Sequence, residues 1–303
     1  MSTRKRIAAV IVPLAVVAAV TATAWASVAD TPVRAGRSHE ELPSADGDAG
    51  YLAWTQNSAA RPKHYDAFES LSGAPKVMVN ATGTSGYNGG IDGTTLVYQQ
   101  VRRGQSDLRL FDLATHQRSI PAGVNTPQWE WRPSISGAWL MFGRETLRTR
   151  PVKTRVLLHN TATSQTITLV DAPGLSEPGQ VNGDYAVYTH CGRVTCNVFR
   201  YQISTGHRMK MPNTLSRRVQ YAPSVSADGT VYYASSRFTC GKDVRIRRFV
   251  AGDTVASLMT ILPAGRDINT TYADDMTDGT TRVLHDRASC TGSSDDIYQV
   301  VDP

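Results

Sequence analysis

The sequence predicts an all-β fold, a six-bladed β-propeller with four-stranded antiparallel blades. Three observations carry this reading. A turn signature recurs six times at spacings of 44 to 50 residues, an alternating apolar pattern follows it in the middle repeats, and the last repeat stops one strand short. Repeats of this length made of antiparallel strands pack as radial blades, each covering the apolar face of the next. A two-layer sandwich is the rival, but that architecture has no reason to repeat one turn at such a period.

Residues 1–26 stand outside the repeat. Arg4, Lys5 and Arg6 precede an apolar run from Ile7 to Val20, and Ala24-Trp25-Ala26 has the small-x-small form of a cleavage site. That is the layout of a secretory signal peptide. An uncleaved anchor competes with it, because Ile7 to Ala29 is long enough to cross a bilayer, but Pro13 and the Thr and Ser residues toward its end weigh against this. The expected organisation is a signal peptide at 1–26 and a single propeller at 27–303, secreted, with no stable membrane insertion after cleavage. All four cysteines fall at 191 or beyond, so none near the cleavage site is available for a lipid anchor. The leader also carries three of the six net positive charges, which removes most of the electrostatic case for nucleic-acid binding.

The repeats follow in order. Their anchors are "DAGYLAW" from Asp48, "DGTTLVY" from Asp92, "SGAWLMF" from Ser136, "NGDYAVY" from Asn182, "DGTVYY" from Asp228 and "DGTTRVL" from Asp278. Asp-Gly and Asn-Gly supply the positive φ angles of a tight two-residue hairpin turn, so a strand enters each anchor and another leaves it. The incoming strands are visible in "RPSIS", "APSVS" and "PGQV". Alternating runs such as "DLRLFDLATHQ", "RVLLHNTATSQ", "NVFRYQISTGH" and "DVRIRRFVAGD" then supply third strands ending in polar turns. Short segments such as "RSIPAG", "TITLV", "RMKMP" and "SLMTILPAG" supply the outer ones. The sixth unit ends with "DDIYQVVDP", its third strand, which leaves an open seam. The expected closing strand is the segment Thr31 to Ser38, paired against Ile297 to Val301.

The stretch "PSVSADGTVYYASSRFTCGKDVRIRRF" resembles the WD40-like repeat of TolB-type six-bladed propellers. The pattern is clearest in the fifth repeat, fair in the second and third, and faint in the others. Relatives of that kind usually carry a Trp and a Pro-Asp-Gly where this chain has Val225 and Ala227-Asp228-Gly229, and TolB proteins carry an extra N-terminal domain. The resemblance implies the propeller fold and a habit of binding proteins or peptides.

In such a blade, the hairpin between the second and third strands lies on the same face as the link to the next blade. Cys191 and Cys196 flank one of these hairpins, and Cys240 and Cys290 occupy those of units five and six. An even count in an exported chain favours disulfides, Cys191–Cys196 and Cys240–Cys290, with the swapped pairs 191–240 and 196–290 still open. A zinc site is disfavoured, since no Cys-x-x-Cys is present and His190 is the only near neighbour.

The same face gathers Tyr87, Trp129, Trp131, Tyr221 and Tyr272 from the links and Arg102, Arg103, Arg144, Arg148, Arg150, Arg193, Arg237 and Arg287 from the hairpins. Aromatic and arginine side chains are those that binding hot spots favour. The expected ligand-binding set is Tyr87, Trp129, Trp131, Arg218, Tyr221, Arg237 and Tyr272. Trp129 and Tyr221, at matching repeat positions, are equally suited to wedge between blades as core, and the arginines to form a solvated face.

Motifs for chemistry are missing. There is no G-x-S-x-G, G-x-G-x-x-G, P-loop or H-E-x-x-H. The acidic stretch "ADDMTDGT" puts Met276 where a calcium loop needs oxygen, and no Glu closes the frame at His285. His285 and Asp286 point to opposite sides of a strand. Asp274, Asp275, Asn269, Glu177 and Asn88 lie near the predicted inner strands and are the candidates for an axial metal. The preferred expectation is a noncatalytic monomer without cofactor that binds a protein or peptide partner. The alternatives are a metal-dependent hydrolase or lyase and a cell-wall or carbohydrate binder.

Overall fold

A computed structural model describes residues 30–34, 40–57, 64–72, 74–146, 153–193, 195–212, 218–237, 240–291 and 295–303. The leader expected at 1–26, and with it Arg148 and Arg150, lies outside these residues. Six sheets follow one another around an axis, and five of them are consecutive four-stranded meanders. Blade one runs Glu40–Asp46, Tyr51–Asn57, Tyr65–Leu71 and Val77–Met78 from the inside outward. Blade two runs Ser85–Asp92, Thr95–Arg102, Gln105–Asp112 and Arg118–Ser119. Blade three runs Trp129–Ser136, Trp139–Glu145, Thr154–Asn160 and Thr166–Asp171. Blade four runs Ser176–Asn182, Tyr185–Cys191, Cys196–Gln202 and Arg208–Lys210. Blade five runs Val219–Val225, Val231–Ser236, Arg245–Phe249 and Ser257–Ile261.

Blade six is closed as the sequence anticipates. Its second and third strands are Thr281–Ser289 and Asp295–Asp302, and its outer strand is Thr31–Arg34 from the other end of the chain. Thr31 lies opposite Gln299, Pro32 opposite Tyr298 and Arg34 opposite Ile297 in antiparallel register. The expected extension through residues 35–38 falls outside the described residues. Asp30 secures this seam, because its carboxylate accepts from the Arg287 guanidinium and lies 3.5 Å from the His285 ring. Burial pushes the Asp30 carboxyl up, but His285 and Arg287 outweigh it and hold the group below its ordinary range. The inner strand differs from the expectation, being split into Arg266–Asp267 and Thr271–Asp275, which both pair with Thr281–Ser289.

Alternation along the strands builds a ring of six cores, one between each pair of neighbouring blades. Val97 faces blade three with Leu108, Ile135, Leu140 and Phe142, while its neighbours Leu96 and Tyr98 face blade one with Ala53 and Ala67. The seam is covered in the same way by Trp54 and Ala45 against Tyr272, Leu284 and Ile297. A strand with period two and two buried faces accounts for the apolar runs after each anchor.

The tight turn expected at every anchor is present in blades two, three and four. There Asp92 pairs with Thr95, Ser136 with Trp139 and Asn182 with Tyr185, and the first turn residue is a glycine at φ 56, 53 and 55°. Blades five and six use longer turns over 226–230 and 276–280, in which Asp228 and Asp278 cap Thr230 and Thr280 within the loop. Blade one turns over 47–50. The shift moves the strand register: Tyr221 and Trp131, not Trp129, hold the equivalent place immediately before the inner-strand irregularity.

That irregularity recurs in the inner strands of blades one to five, where register shifts fall at residues 42–43, 89–90, 132–133, 179–180 and 222–223. In three of them the bulged residue precedes a proline and is left-handed: Leu42 at φ 52°, Arg132 at 44° and Ala222 at 47°. Side chains are disfavoured there, and bulges of this kind re-aim side chains beside functional sites.

Below the bulges the axis is filled. The Gln180 amide donates to the Ala273 carbonyl at 2.7 Å and accepts from the Ala273 and Val225 N–H groups. The Tyr272 hydroxyl donates to the Ile91 carbonyl at 2.8 Å, tying blade six to blade two. Both predicted disulfides are present, Cys191–Cys196 within blade four and Cys240–Cys290 joining blades five and six, which excludes the swapped pairing.

Candidate functional site

The face that carries the blade-to-blade links opens into a cavity of about 690 Å³. Pockets for small ligands and side chains span roughly 300 to 1,000 Å³. Blade three supplies its largest wall. Trp129 and Trp131 are two apart on the inner strand and so share a side, with Glu145 opposite Trp129 and Gly143 opposite Trp131 on the next strand. The Trp131 indole lies on the bare Gly143 backbone, where an added Cβ would come within 2.5 Å of the ring. A glycine in this strand interior is thus required by the close approach of the ring.

Thr154, opposite Glu145, completes the wall and ties it to the link into blade four. Its hydroxyl donates to the Gly174 carbonyl at 3.1 Å and accepts from the Ser176 N–H at 3.0 Å. Leu175 is thereby held at the lip, 49 % exposed.

Across the cavity stand Glu41 and Leu42 of blade one and Tyr87 and Gln99 of blade two. The Asn88 amide fixes the Leu42 bulge by donating to the Leu42 carbonyl at 2.6 Å. Tyr87 packs against Tyr65 with ring centroids 5.1 Å apart. Burial, then Tyr65 and the Glu41 charge, push its phenol up to about 12, so it remains a neutral hydroxyl at physiological pH. The Gln99 amide donates to Ser106, which donates to the Glu130 carbonyl, and this chain joins blades two and three beneath the cavity.

Arg132 projects from its left-handed bulge to the cavity, 3.3 Å from Glu177 and 5.8 Å from the Trp131 ring centroid. Beneath the wall, Glu130 is fully buried and accepts from Thr126 at 2.6 Å and Arg144 at 2.9 Å. Burial raises its carboxyl above the ordinary range despite those partners.

Of the expected binding set, the fold brings Tyr87, Trp129 and Trp131 together and sends the others elsewhere. Tyr221 packs between blades five and six and donates its hydroxyl to Asp267. Burial, then the Asp267 carboxylate, push that phenol far above its usual range. Arg218 is buried and paired with Asp243. Tyr272 is core, 7 % exposed. Arg237 is exposed on blade five, away from the cavity lining. Among the hairpin arginines, Arg102, Arg103 and Arg193 are exposed, while Arg144 and Arg287 are held in ion pairs with Glu130 and Asp30. Glu41, Leu42, Glu145 and Leu175 were not foreseen as lining residues. The Leu-Pro, Arg-Pro and Ala-Pro pairs before Ser44, Ser134 and Ser224, with Gly89-Gly90 and Gly179 in blades two and four, are the sequence signals that mark the bulges.

The five residues considered for an axial metal do not converge. Asn269 donates to Asp286, Asn88 to Leu42 and Ser44, and Glu177 pairs with Arg132. Asp274 and Asp275 face a smaller cavity of about 270 Å³ on the opposite side of the disc. There they act as latches between blades: Asp274 accepts from the Gly47 N–H and Arg282, and Asp275 from the Ala227 N–H and Asn182. Among the described residues no three His, Cys, Asp or Glu side chains are grouped to hold a metal ion. These five side chains therefore do not form a common donor set.

A closed ring of six blades with an aromatic cavity on the link face defines an all-β propeller with a concave surface. Solved structures of the same architecture include TolB from Acinetobacter baumannii, 14 % identical with a TM-score of 0.58 over 85 % of this chain. The chain spans only 65 % of that protein's length. A putative TolB from Agrobacterium tumefaciens is likewise 14 % identical, with a TM-score of 0.58 over 88 % of this chain and 91 % of that one. An oligogalacturonate lyase in complex with manganese is 11 % identical, with a TM-score of 0.57 over 88 % and 90 %. No protein-family model matches the chain, and no curated protein matches its sequence. The fold is thus a TolB-like six-bladed propeller, distant in sequence from the structures it resembles.

Proposed function

We propose that the chain is an exported, noncatalytic propeller that binds a protein or peptide through the link face. The observation that carries this reading is the cavity built from Tyr87, Trp129, Trp131, Leu42 and Leu175, which presents rigid aromatic and aliphatic surface on a scaffold of paired strands. Two disulfides and a leader of signal-peptide form support an oxidising compartment outside the cytosol. The test is cross-linking and affinity capture of residues 27–303 from the producer's envelope and culture fluid, followed by reconstitution with the purified partner. One stoichiometric protein is expected, lost with Trp129→Ala and Trp131→Ala. A partner retained by both variants overturns the assignment of the face.

A further inference from the structure

The cavity also has a charge pattern. Arg132 is the one cationic side chain among its described lining residues, and Glu177 takes up that charge at 3.3 Å. Glu145 lies opposite Trp129 in the strand pair and forms no ion pair among the described residues. Side chains so placed are neighbours, their Cβ atoms about 5 Å apart. On the blade-one side, Glu41 and Leu42 line the cavity across from Tyr87. The rings of Trp129 and Tyr87, with the Glu145 carboxylate beside Trp129, form a surface on which ring face and charge are both negative. A cation is attracted to indole and phenol faces electrostatically, and the attraction grows where water is displaced.

Resting on the reading of this face as a protein-binding site, we propose that the cavity receives a basic side chain, lysine or arginine, from the partner polypeptide. The aliphatic stem would lie along Leu42 and Leu175 and the charged head among Tyr87, Trp129 and Glu145. Long basic side chains combine an apolar stem with a charged tip, which suits a cavity that is apolar at its lip and negative at its wall. The left-handed Leu42 and Arg132 contribute by re-aiming one apolar stem and one self-neutralised cation to the rim, so that no uncompensated positive charge faces the entering group.

The experiment titrates the protein, labelled with fluorotryptophan, with four capped pentapeptides, acetyl-Gly-Gly-X-Gly-Gly-amide with X as Arg, Lys, Met or Glu. The ¹⁹F resonances of Trp129 and Trp131 are followed after assignment by Trp→Phe variants. The Arg and Lys peptides are expected to bind about tenfold more tightly than the Met and Glu peptides. That preference should weaken several-fold in Glu145→Gln, a half-buried and isosteric change that spares the core, and again at high salt. If the Met peptide binds as tightly as the Arg peptide, or if Glu145→Gln leaves the size of the preference undiminished, the cation assignment is overturned while peptide binding at this face stands. If none of the four shifts either resonance, both fall together.

Discussion

Removing the two disulfides separately should cost the fold unequally, in proportion to the loops they close. Cys240 and Cys290 are 50 residues apart and Cys191 and Cys196 only 5. In the chain-entropy description, a cross-link restricts the unfolded chain by an amount that grows with the logarithm of loop length. That gives about 4 kcal/mol for the long loop and about 2 kcal/mol for the short one. Cys240 and Cys290 are exposed, and Cys191 and Cys196 half-buried, so alanine at these positions leaves little cavity and the entropic part dominates. In a domain of this size about 2 °C of melting temperature corresponds to 1 kcal/mol. Cys240→Ala/Cys290→Ala should therefore melt roughly 8 °C lower than the unmodified protein, and Cys191→Ala/Cys196→Ala roughly 4 °C lower. Urea unfolding of the three proteins under oxidising conditions gives the same comparison as free energies. Equal losses, or a larger loss from the short loop, would refute the loop-length reasoning and place the stabilisation in native contacts of blade four.

The seam and the axis give two more outcomes. Asp30→Asn should cost about 3 kcal/mol at neutral pH, since it leaves Arg287 and the fully buried His285 without their carboxylate. Because the folded Asp30 carboxyl titrates below its ordinary 3.8, its stabilisation is complete above that pH and is lost as pH falls through the folded value. The gap between the unmodified protein and the variant, measured by urea unfolding, should stay constant from neutral pH to about 4.5 and close below 3.8; a constant gap down to strongly acid pH counts against the latch. Gln180→Ala should cost about 2 to 4 kcal/mol, because the buried Val225 and Ala273 N–H groups lose their acceptor. Hydrogen exchange at those two amides should accelerate with it, and unchanged exchange would mean that the axis is not held by Gln180.

The blades, the cysteine pairs and the seam were legible because each depends on local chemistry. Asp-Gly and Asn-Gly mark turns, alternation marks strands with two buried faces, and a missing fourth strand at one end calls for a donor from the other. The cavity was legible only in part. Tyr87, Trp129 and Trp131 stood out as aromatics on the links, but so did Tyr221 and Tyr272, whose burial is decided by Asp267 and Ile91 on other blades. Glu145 acquires its place from cross-strand register with Trp129, and Leu42 and Arg132 acquire theirs from left-handed bulges. Gln180 reads as an ordinary polar residue of an inner strand until blades four, five and six meet around it. Register and convergence on an axis are non-local properties, and single-chain patterns do not encode them in any one segment.

Pairing the first described strand with the last imposes a sequence in time. A chain made from its N-terminus presents Thr31–Arg34 long before Asp295–Asp302 exists, and Asp30 meets Arg287 across a separation of 257 residues. Blades one to five are each contiguous and are free to stack as they emerge, but the circle shuts only when Asp295–Asp302 meets Thr31–Arg34. Until then Ala45 and Trp54 on one side, and Leu284 and Ile297 on the other, lack each other's cover. While that seam is open, these two apolar flanks are what the molecule offers to proteases and to its own neighbours.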